Sequence, residues 1–189
     1  SRADVLLVQE IESHPSEPVS RAKRLADALA MTFVYAAARL EGEGTHGLAI
    51  LSRFPILDAR VMRLPHADAV WNERNRIAIA AEIDLGSSRV TVVDLHLDTR
   101  LGAIDRIRQL HPAVIDLVDP VAVGGDFNTN PWAWIGNTVP LTGSEAVVGQ
   151  DQAAVLDDYL GGLGFAIPIG PEEQTFDIPV LVGRLDNVY

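Results

Sequence analysis

The chain has 189 residues, no cysteine, and a formal net charge of −11 from 15 Lys and Arg against 26 Asp and Glu. The lack of cysteine excludes disulfide frameworks, thiolate-bound metal centres and thiol nucleophiles. Hydrophobic residues make up 48% of the chain, which is typical of a folded globular protein. No apolar run approaches the roughly 18 residues of a membrane-spanning helix, so no transmembrane segment is predicted. Residues 109–183 contain no Lys or Arg, which disfavours tight, non-specific binding to duplex nucleic acid.

The first part of the chain predicts three strands and a helix. Residues 5–8 form a short apolar run without helical spacing, as expected of a strand buried on both faces. The helix that follows has Ser16 as a candidate N-cap and four apolar residues at helical spacing: Ala22, Leu25, Ala26 and Leu29. Residues 33–36 and 48–51 are interpreted as strands on either side of a glycine-rich turn.

The strongest local prediction is a hairpin at residues 77–97. Apolar residues occupy every second position from 77 to 85, a Gly-Ser-Ser turn follows, and a second strand begins at residue 90. Apolar spacing then predicts a helix over residues 104–117, which Pro112 is expected to kink or split, and residues 121–123 form another buried strand. Strands mixed with helices predict an α/β or α+β fold. No linker or repeat interrupts the chain, so residues 1–189 are expected to be a single domain.

Polar side chains follow three predicted strands at the point where each ends: Gln9 and Glu10, then His96, then Asp126 and Asn128. Strand ends are where layered α/β folds build their sites, because rigid strands hold the loop side chains in place. Carboxylate and amide oxygens without cysteine favour Mg²⁺, Mn²⁺ or Ca²⁺ over zinc. The pattern therefore predicts a hard-cation site.

Each of these residues also has a structural interpretation, which stays open at this point. Glu10 fits a solvated surface glutamate, His96 a core histidine with its hydrogen bonds satisfied, and the Gly-Asp-Phe-Asn segment a simple turn. The remaining histidines lack any spacing that indicates ligation and are interpreted as loop or surface residues: His14, His46, His66 and His111. The phosphate-loop, nucleophile-elbow, zincin and dinucleotide-binding motifs are all missing from the sequence.

Five blocks of sequence occur in a distinctive order. They are Gln9-Glu10 after the first strand; Ala49-Ile50-Leu51-Ser52-Arg53-Phe54-Pro55-Ile56; His96-Leu97 with Arg106 and Gln109 downstream; Gly125-Asp126-Phe127-Asn128; and Thr175-Phe176 followed by Arg184-Leu185-Asp186-Asn187-Val188-Tyr189. In content and order the chain resembles the endonuclease/exonuclease/phosphatase superfamily, whose members include pancreatic deoxyribonuclease, apurinic/apyrimidinic endonucleases and bacterial sphingomyelinases.

This resemblance implies a four-layer sandwich of two mixed β-sheets flanked by helices. It also implies cleavage of a phosphodiester or phosphomonoester by in-line attack of an activated water. By the same resemblance Glu10 would ligate Mg²⁺ or Mn²⁺, and Asp126 would orient or deprotonate the water. Asn128 would hydrogen-bond the water or the phosphate, His96 would donate to the phosphate or the leaving group, and Asp186 would orient a second histidine.

The chain departs from the family pattern at both ends. The family has an Asn on an earlier strand and a Ser-Asp-His block after the Asp186 strand, and neither lies within residues 1–189. We therefore expect the native chain to be longer. If it is not, the alternative function is a catalytically inactive scaffold that serves as a binding module.

The resemblance leaves the substrate open among nucleic acid, lipid and small phosphate esters, and it leaves the oligomeric state and the compartment open too. Arg74 and Arg76 precede the hairpin and are candidates either for phosphate contacts or for ordinary surface residues. Trp132 and Trp134 are candidates for stacking, lipid contact or loop packing. A two-metal phosphoesterase of a different class would need a Gly-Asn-His-[Asp/Glu] block and a late Gly-His-x-His, and the sequence has neither.

Overall fold

The computed structural model describes residues 3–66, 75–99, 101–118, 120–129 and 152–168, together with the backbone of three short strands within 176–188. The strands are β1 Val5–Ser13, β2 Thr32–Glu41, β3 Gly44–Ser52, β4 Ile56–Arg63, β5 Ile77–Asp84, β6 Arg89–His96, β7 Val121–Asp126, β8 Phe176–Ile178, β9 Leu181–Gly183 and β10 Asp186–Val188. The helices are α1 Arg21–Leu29, α2 Ala103–Val114 and α3 Gln152–Gly162. None of these helices is long and apolar enough to cross a membrane.

Two sheets carry the fold. The first has three antiparallel strands in the order β1-β3-β2. The second has five strands in the order β10-β7-β6-β5-β4 and is mixed, because β6 and β7 run parallel while the other pairs are antiparallel. Strands β8 and β9 form a separate two-stranded hairpin.

The apolar residues sort into three layers of packing. Leu48 and Ile50 of the first sheet pack against Ile77 and Ile79 of the second. On the outer face of the first sheet, α1 buries Ala22 and Ala26, and on the outer face of the second sheet α2 and α3 complete the largest cluster. Helix, sheet, sheet and helices thus form four layers. The predicted α/β sandwich is confirmed, with the first sheet antiparallel throughout its described strands.

Two local predictions are corrected, and one strand was not predicted. The N-cap of α1 is Ser20 rather than Ser16: its hydroxyl accepts a hydrogen bond from the Lys23 N–H, and the helix begins at the next residue. Pro112 does not split α2, because it lies in the last helical turn and its missing N–H removes only the hydrogen bond that it would donate to the Arg108 carbonyl. Strand β4 was not predicted, since it is an edge strand with mostly exposed side chains and lacks strict apolar alternation.

A buried arginine ties α2 to the loops that follow β6 and β7. Arg106 is fully inaccessible, and its Nη1 donates to the carbonyls of Asp98 and Phe127, each at 2.8 Å. Its Nη2 donates to the Leu101 carbonyl at 2.7 Å. One turn further along the helix, the Gln109 amide accepts from the Asp98 N–H at 2.8 Å. The loops that carry the predicted site residues are therefore held by the first two turns of one helix.

We expect Arg106→Lys to lower the free energy of unfolding by about 2 kcal/mol or more. The planar guanidinium donates to three carbonyls that lie in different directions around it, and the single nitrogen of a lysine ammonium group cannot reach all three. Urea unfolding measures the loss. The matched control is Arg108→Lys on the exposed side of the same helix, where the side chain only pairs with Asp105 and the change should stay within about 0.5 kcal/mol. Equal stability of the two variants would contradict this account.

Candidate active site

Three of the predicted site residues lie side by side at one edge of the second sheet. His96 ends β6 and pairs in register with Asp126, which ends the neighbouring parallel strand β7. Asp186 begins β10 and pairs in register with Asp126 from the other side. The backbone thus aligns His96, Asp126 and Asp186 across adjacent strands.

The carboxylate of Asp126 contacts Asn128 and His96. Its Oδ1 accepts a hydrogen bond from the Asn128 N–H at 2.8 Å, which closes a tight turn, and its Oδ2 lies 3.3 Å from Nε2 of His96. Gly125 makes this placement possible: its φ is +132°, and a Cβ there would stand 2.1 Å from the Leu95 carbonyl oxygen. Gly125 and Asp126 therefore end strand β7, the Asp126–Asn128 hydrogen bond turns the chain directly after it, and Asp126 presents a carboxylate to His96.

Asn128 is buried and adopts a left-handed backbone with φ of 51°. Its side-chain amide donates to the Leu97 carbonyl at 2.8 Å, so it joins the loop after β7 to the residue that follows His96. Asparagine tolerates this backbone conformation better than most residues. The hydrogen bond from Asn128 to Leu97 positions the loop.

Glu10 comes from the first sheet, at a bulge in β1. The pairing of β1 with β3 shifts register between Val8 and Ile11, and Glu10 has a φ of 57°, which is unusual for a glutamate. Its side chain is 66% exposed, and Oε1 lies 4.0 Å from Nε2 of His46. The bulge turns this carboxylate out of the strand pairing and towards the buried histidine.

The residue before Glu10 anchors the bulge to the other sheet. Gln9 donates from Nε2 to Oδ1 of Asp94 at 2.6 Å, and Asp94 is completely buried two residues before His96 on β6. Burial raises the pKa of Asp94 well above its usual value, although hydrogen bonds from Gln9 and from the main chain of Val8 and Leu95 oppose the shift. Burial thus favours the uncharged carboxyl in this link between the sheets.

The interpretation of His46 as a loop or surface residue is wrong. His46 lies on β3, is 8% exposed, and faces Glu10. Burial, together with the nearby charge of Arg39, lowers its pKa. The sequence offered one sign that His46 belongs to the site: it lies just before the block of residues 49–56 that resembles the family.

His46 and His96 line the same pocket, and each has a carboxylate beside it. Glu10 stands next to His46, and Asp126 stands next to His96. Burial is the main cause that lowers the pKa of His96 to about 3, with Arg76 the next largest. The imidazole of His96 is therefore neutral at neutral pH. The structure brings Glu10, His96, Asp126 and Asn128 into one region formed by both sheets.

The donor set bears on which metal fits. Within the described ranges, no three His, Asp or Glu side chains are grouped so as to hold a metal without other ligands. Mg²⁺ is commonly bound through one or two carboxylates, with water and substrate oxygens completing its octahedron. The exposed carboxylate of Glu10 fits that arrangement. It does not fit a zinc site built from three protein ligands.

Several residues named from the sequence lie outside the described residues. They are Arg74, Trp132, Trp134, Thr175, Arg184, Leu185 and Tyr189. Arg76 is described, is 8% exposed, and lines the pocket together with the two histidines.

Solved structures show the same fold. An endonuclease/exonuclease/phosphatase family protein from Leptotrichia buccalis superposes with a TM-score of 0.64 at 16% identity, over 98% of this chain and 74% of that one. A β-hairpin deletion mutant of beta toxin from Staphylococcus aureus gives 0.62 at 15% identity, over 98% and 72%. ANGEL2, described as a 2′,3′-cyclic phosphatase, gives 0.55 at 15% identity, over 98% and 69%, in its complex with adenosine-2′,3′-vanadate.

No curated protein matches the chain in a sequence search. The model of the Endonuclease/Exonuclease/phosphatase family, by contrast, matches all of residues 1–189. The enzymes of that family hydrolyse phosphate esters. The fold, the family model and the order of the sequence blocks agree, and the chain belongs to the endonuclease/exonuclease/phosphatase family.

Proposed function

We propose that this protein is a Mg²⁺- or Mn²⁺-dependent hydrolase that cleaves a phosphodiester or phosphomonoester by in-line attack of water. The observation that carries the proposal is the pairing of Asp126 with a buried, neutral His96 at 3.3 Å, together with the exposed carboxylate of Glu10, which lies 4.0 Å from His46 in the lining of the same pocket as His96. A carboxylate, an imidazole and a candidate metal ligand close to one pocket are groups that water activation at phosphorus uses.

Asp126 is the residue we assign to the attacking water. Its Oδ1 is engaged by the Asn128 N–H, which fixes the plane of the carboxylate. Its Oδ2 lies 3.3 Å from Nε2 of His96, which lines the pocket. A carboxylate held in this way accepts a hydrogen bond from water and receives its proton as the oxygen attacks. Asn128 contributes by holding the loop through the Leu97 carbonyl.

His96 acts as a neutral hydrogen-bonding group in this proposal. Because its pKa lies far below neutrality, its imidazole has one N–H donor and one acceptor nitrogen. The N–H can donate to a phosphoryl oxygen or to the leaving oxygen without adding a positive charge. Asp186, next to Asp126 in the sheet, remains the residue proposed to orient a second histidine.

Glu10 is the residue proposed to hold the metal. A divalent ion bound there would offset the charge that builds on the phosphoryl oxygens and lower the pKa of coordinated water. The left-handed backbone of Glu10 is a conformation that costs free energy in a glutamate, and such conformations concentrate at functional sites. Its exposure leaves the carboxylate open to an ion and to substrate.

The complete gene product should hydrolyse bis(p-nitrophenyl) phosphate with Mg²⁺ or Mn²⁺. We expect a chelator to abolish this activity and Asp126→Asn to lower kcat by about 10²- to 10⁴-fold, the range typical of a lost general base. Asp105→Asn on α2 is the matched control, because that carboxylate only pairs with Arg108 at the surface. Full activity in chelator or in Asp126→Asn would reject the mechanism. No activity from the folded wild type would favour the inactive binding module instead.

Two variants of Glu10 should distinguish the role of its carboxylate in metal binding from the stability cost of its left-handed backbone. Glu10→Ala and Glu10→Gly should both lose metal-dependent activity. Glu10→Gly should nevertheless be the more stable by about 0.5–1 kcal/mol, because alanine retains the cost of a left-handed backbone that glycine avoids. Urea unfolding measures the difference.

Glu12, two residues along the same strand, is the control position. It has no positive φ, so glycine should be less stable than alanine there. The same order of stability at positions 10 and 12 would refute the backbone argument.

The depressed pKa of His96 predicts a loss of stability in acid. Between its folded pKa of about 3 and its unfolded value of about 6.5, the unfolded chain binds more protons than the native one, so stability falls as pH decreases. The slope approaches about 1.4 kcal/mol per pH unit. His96→Asn should remove it, as measured by urea unfolding at pH 5 and pH 7.5.

Asp94 acts in the opposite direction, because its raised pKa favours the native state as pH falls. The difference between wild type and His96→Asn therefore isolates His96. Parallel pH profiles for wild type and His96→Asn would contradict burial of a neutral imidazole.

A further inference from the structure

The pocket beside His96 is lined by a group of nitrogen donors. It is open to solvent, and its volume of about 230 Å³ includes that open space, so little of the pocket is enclosed. Its polar lining consists of Arg39, His46, Asn75, Arg76 and His96, and the remainder is apolar. Every ionisable side chain in this lining is a base.

The positive charge of the pocket comes from its two arginines. His46 and His96 are buried and sit beside Arg39 and Arg76, an arrangement that favours neutral imidazoles. Arg76 is almost completely buried at the start of β5, whereas Arg39 on β2 is partly exposed and pairs with Glu41 at 2.9 Å. The two guanidinium groups reach the same space from different sheets.

The carboxylates near the pocket lie outside its lining. Glu10 stands beside His46, Asp126 and Asp98 beside His96, and Glu41 beside Arg39. Glu10 and Asp126 belong to the end where we place the reaction. The arginine end therefore presents two guanidinium groups to a ligand that enters from solvent, with the carboxylate of Glu41 paired to that of Arg39.

We propose that Arg39 and Arg76 bind a second anionic group of the substrate, a phosphomonoester carried next to the ester bond that is cleaved. The planar fork of a guanidinium matches phosphate oxygens, and two of them suit a group that carries about −1.5 to −2 at neutral pH better than a singly charged diester. This inference rests on the proposed hydrolase function for its account of the reacting end. It narrows the substrate to esters that bear an adjacent terminal phosphate.

Binding of inorganic phosphate to the complete, metal-free protein in chelator is the first test, by titration calorimetry. We expect wild type to bind phosphate and Arg39→Gln to weaken binding about tenfold or more, as expected for loss of a charge-assisted hydrogen bond. Arg76→Gln should behave alike. Substitution of the buried Arg76 also lowers stability, so the decisive variant is that of the partly exposed Arg39. Arg60→Gln, exposed on the edge strand β4, changes the net charge equally and should bind as wild type does.

The second test compares two substrates in the presence of Mg²⁺: thymidine 3′-(p-nitrophenyl phosphate) with and without a 5′-phosphate. Wild type should show the higher kcat/KM for the 5′-phosphorylated ester, and Arg39→Gln should reduce that preference about tenfold. The same preference in Arg39→Gln as in wild type, or phosphate binding that is unaffected by Arg39, would overturn the inference. Absence of hydrolysis while phosphate binding still depends on Arg39 would instead count against the proposed hydrolase.

Discussion

The geometry of the candidate site depends on satisfying one buried positive charge. Arg106 has no access to solvent, and burial lowers its pKa to about 10, so the guanidinium is still charged at neutral pH. A buried charge is tolerated only where protein dipoles replace its water. The loops after β6 and β7 supply those dipoles as backbone carbonyls, and these loops begin directly after His96 and Asp126. Satisfying the guanidinium thus selects one arrangement of both loops.

The remaining part of the site is contributed by the other sheet through a short polar link. Gln9 reaches across the interface to Asp94, and the next residue, Glu10, leaves the strand at a bulge. Asp94 and His96 are two residues apart on β6 and so share a face of that strand. The link that joins the sheets therefore also sets the distance between the carboxylate of Glu10 and the paired His96 and Asp126.

Strand ends and block order were sufficient to predict the fold and to select Glu10, His96 and Asp126 from the sequence. These residues are recognisable because short apolar runs mark the strands that precede them. His46, Arg39 and Asp94 were not selected as site residues, because their importance arises from tertiary contacts. A histidine or arginine on a strand gives no sign of which residue it faces on another strand, and Asp94 resembles any polar residue in an alternating pattern until its complete burial is seen.

Each sheet is drawn largely from one stretch of the chain: residues 5–52 build the first, and residues 56–126 supply four of the five strands of the second. Hydrogen bonding within either sheet leaves Glu10 and His96 apart, and only closure of the apolar layer between the sheets makes them neighbours. Circular dichroism reports mainly on the sheets themselves, whereas turnover reports on their closure. Loosening that interlayer, through residues as remote from the candidate site as Ile50 or Ile79, would separate the groups of the proposed active site while the secondary structure persisted.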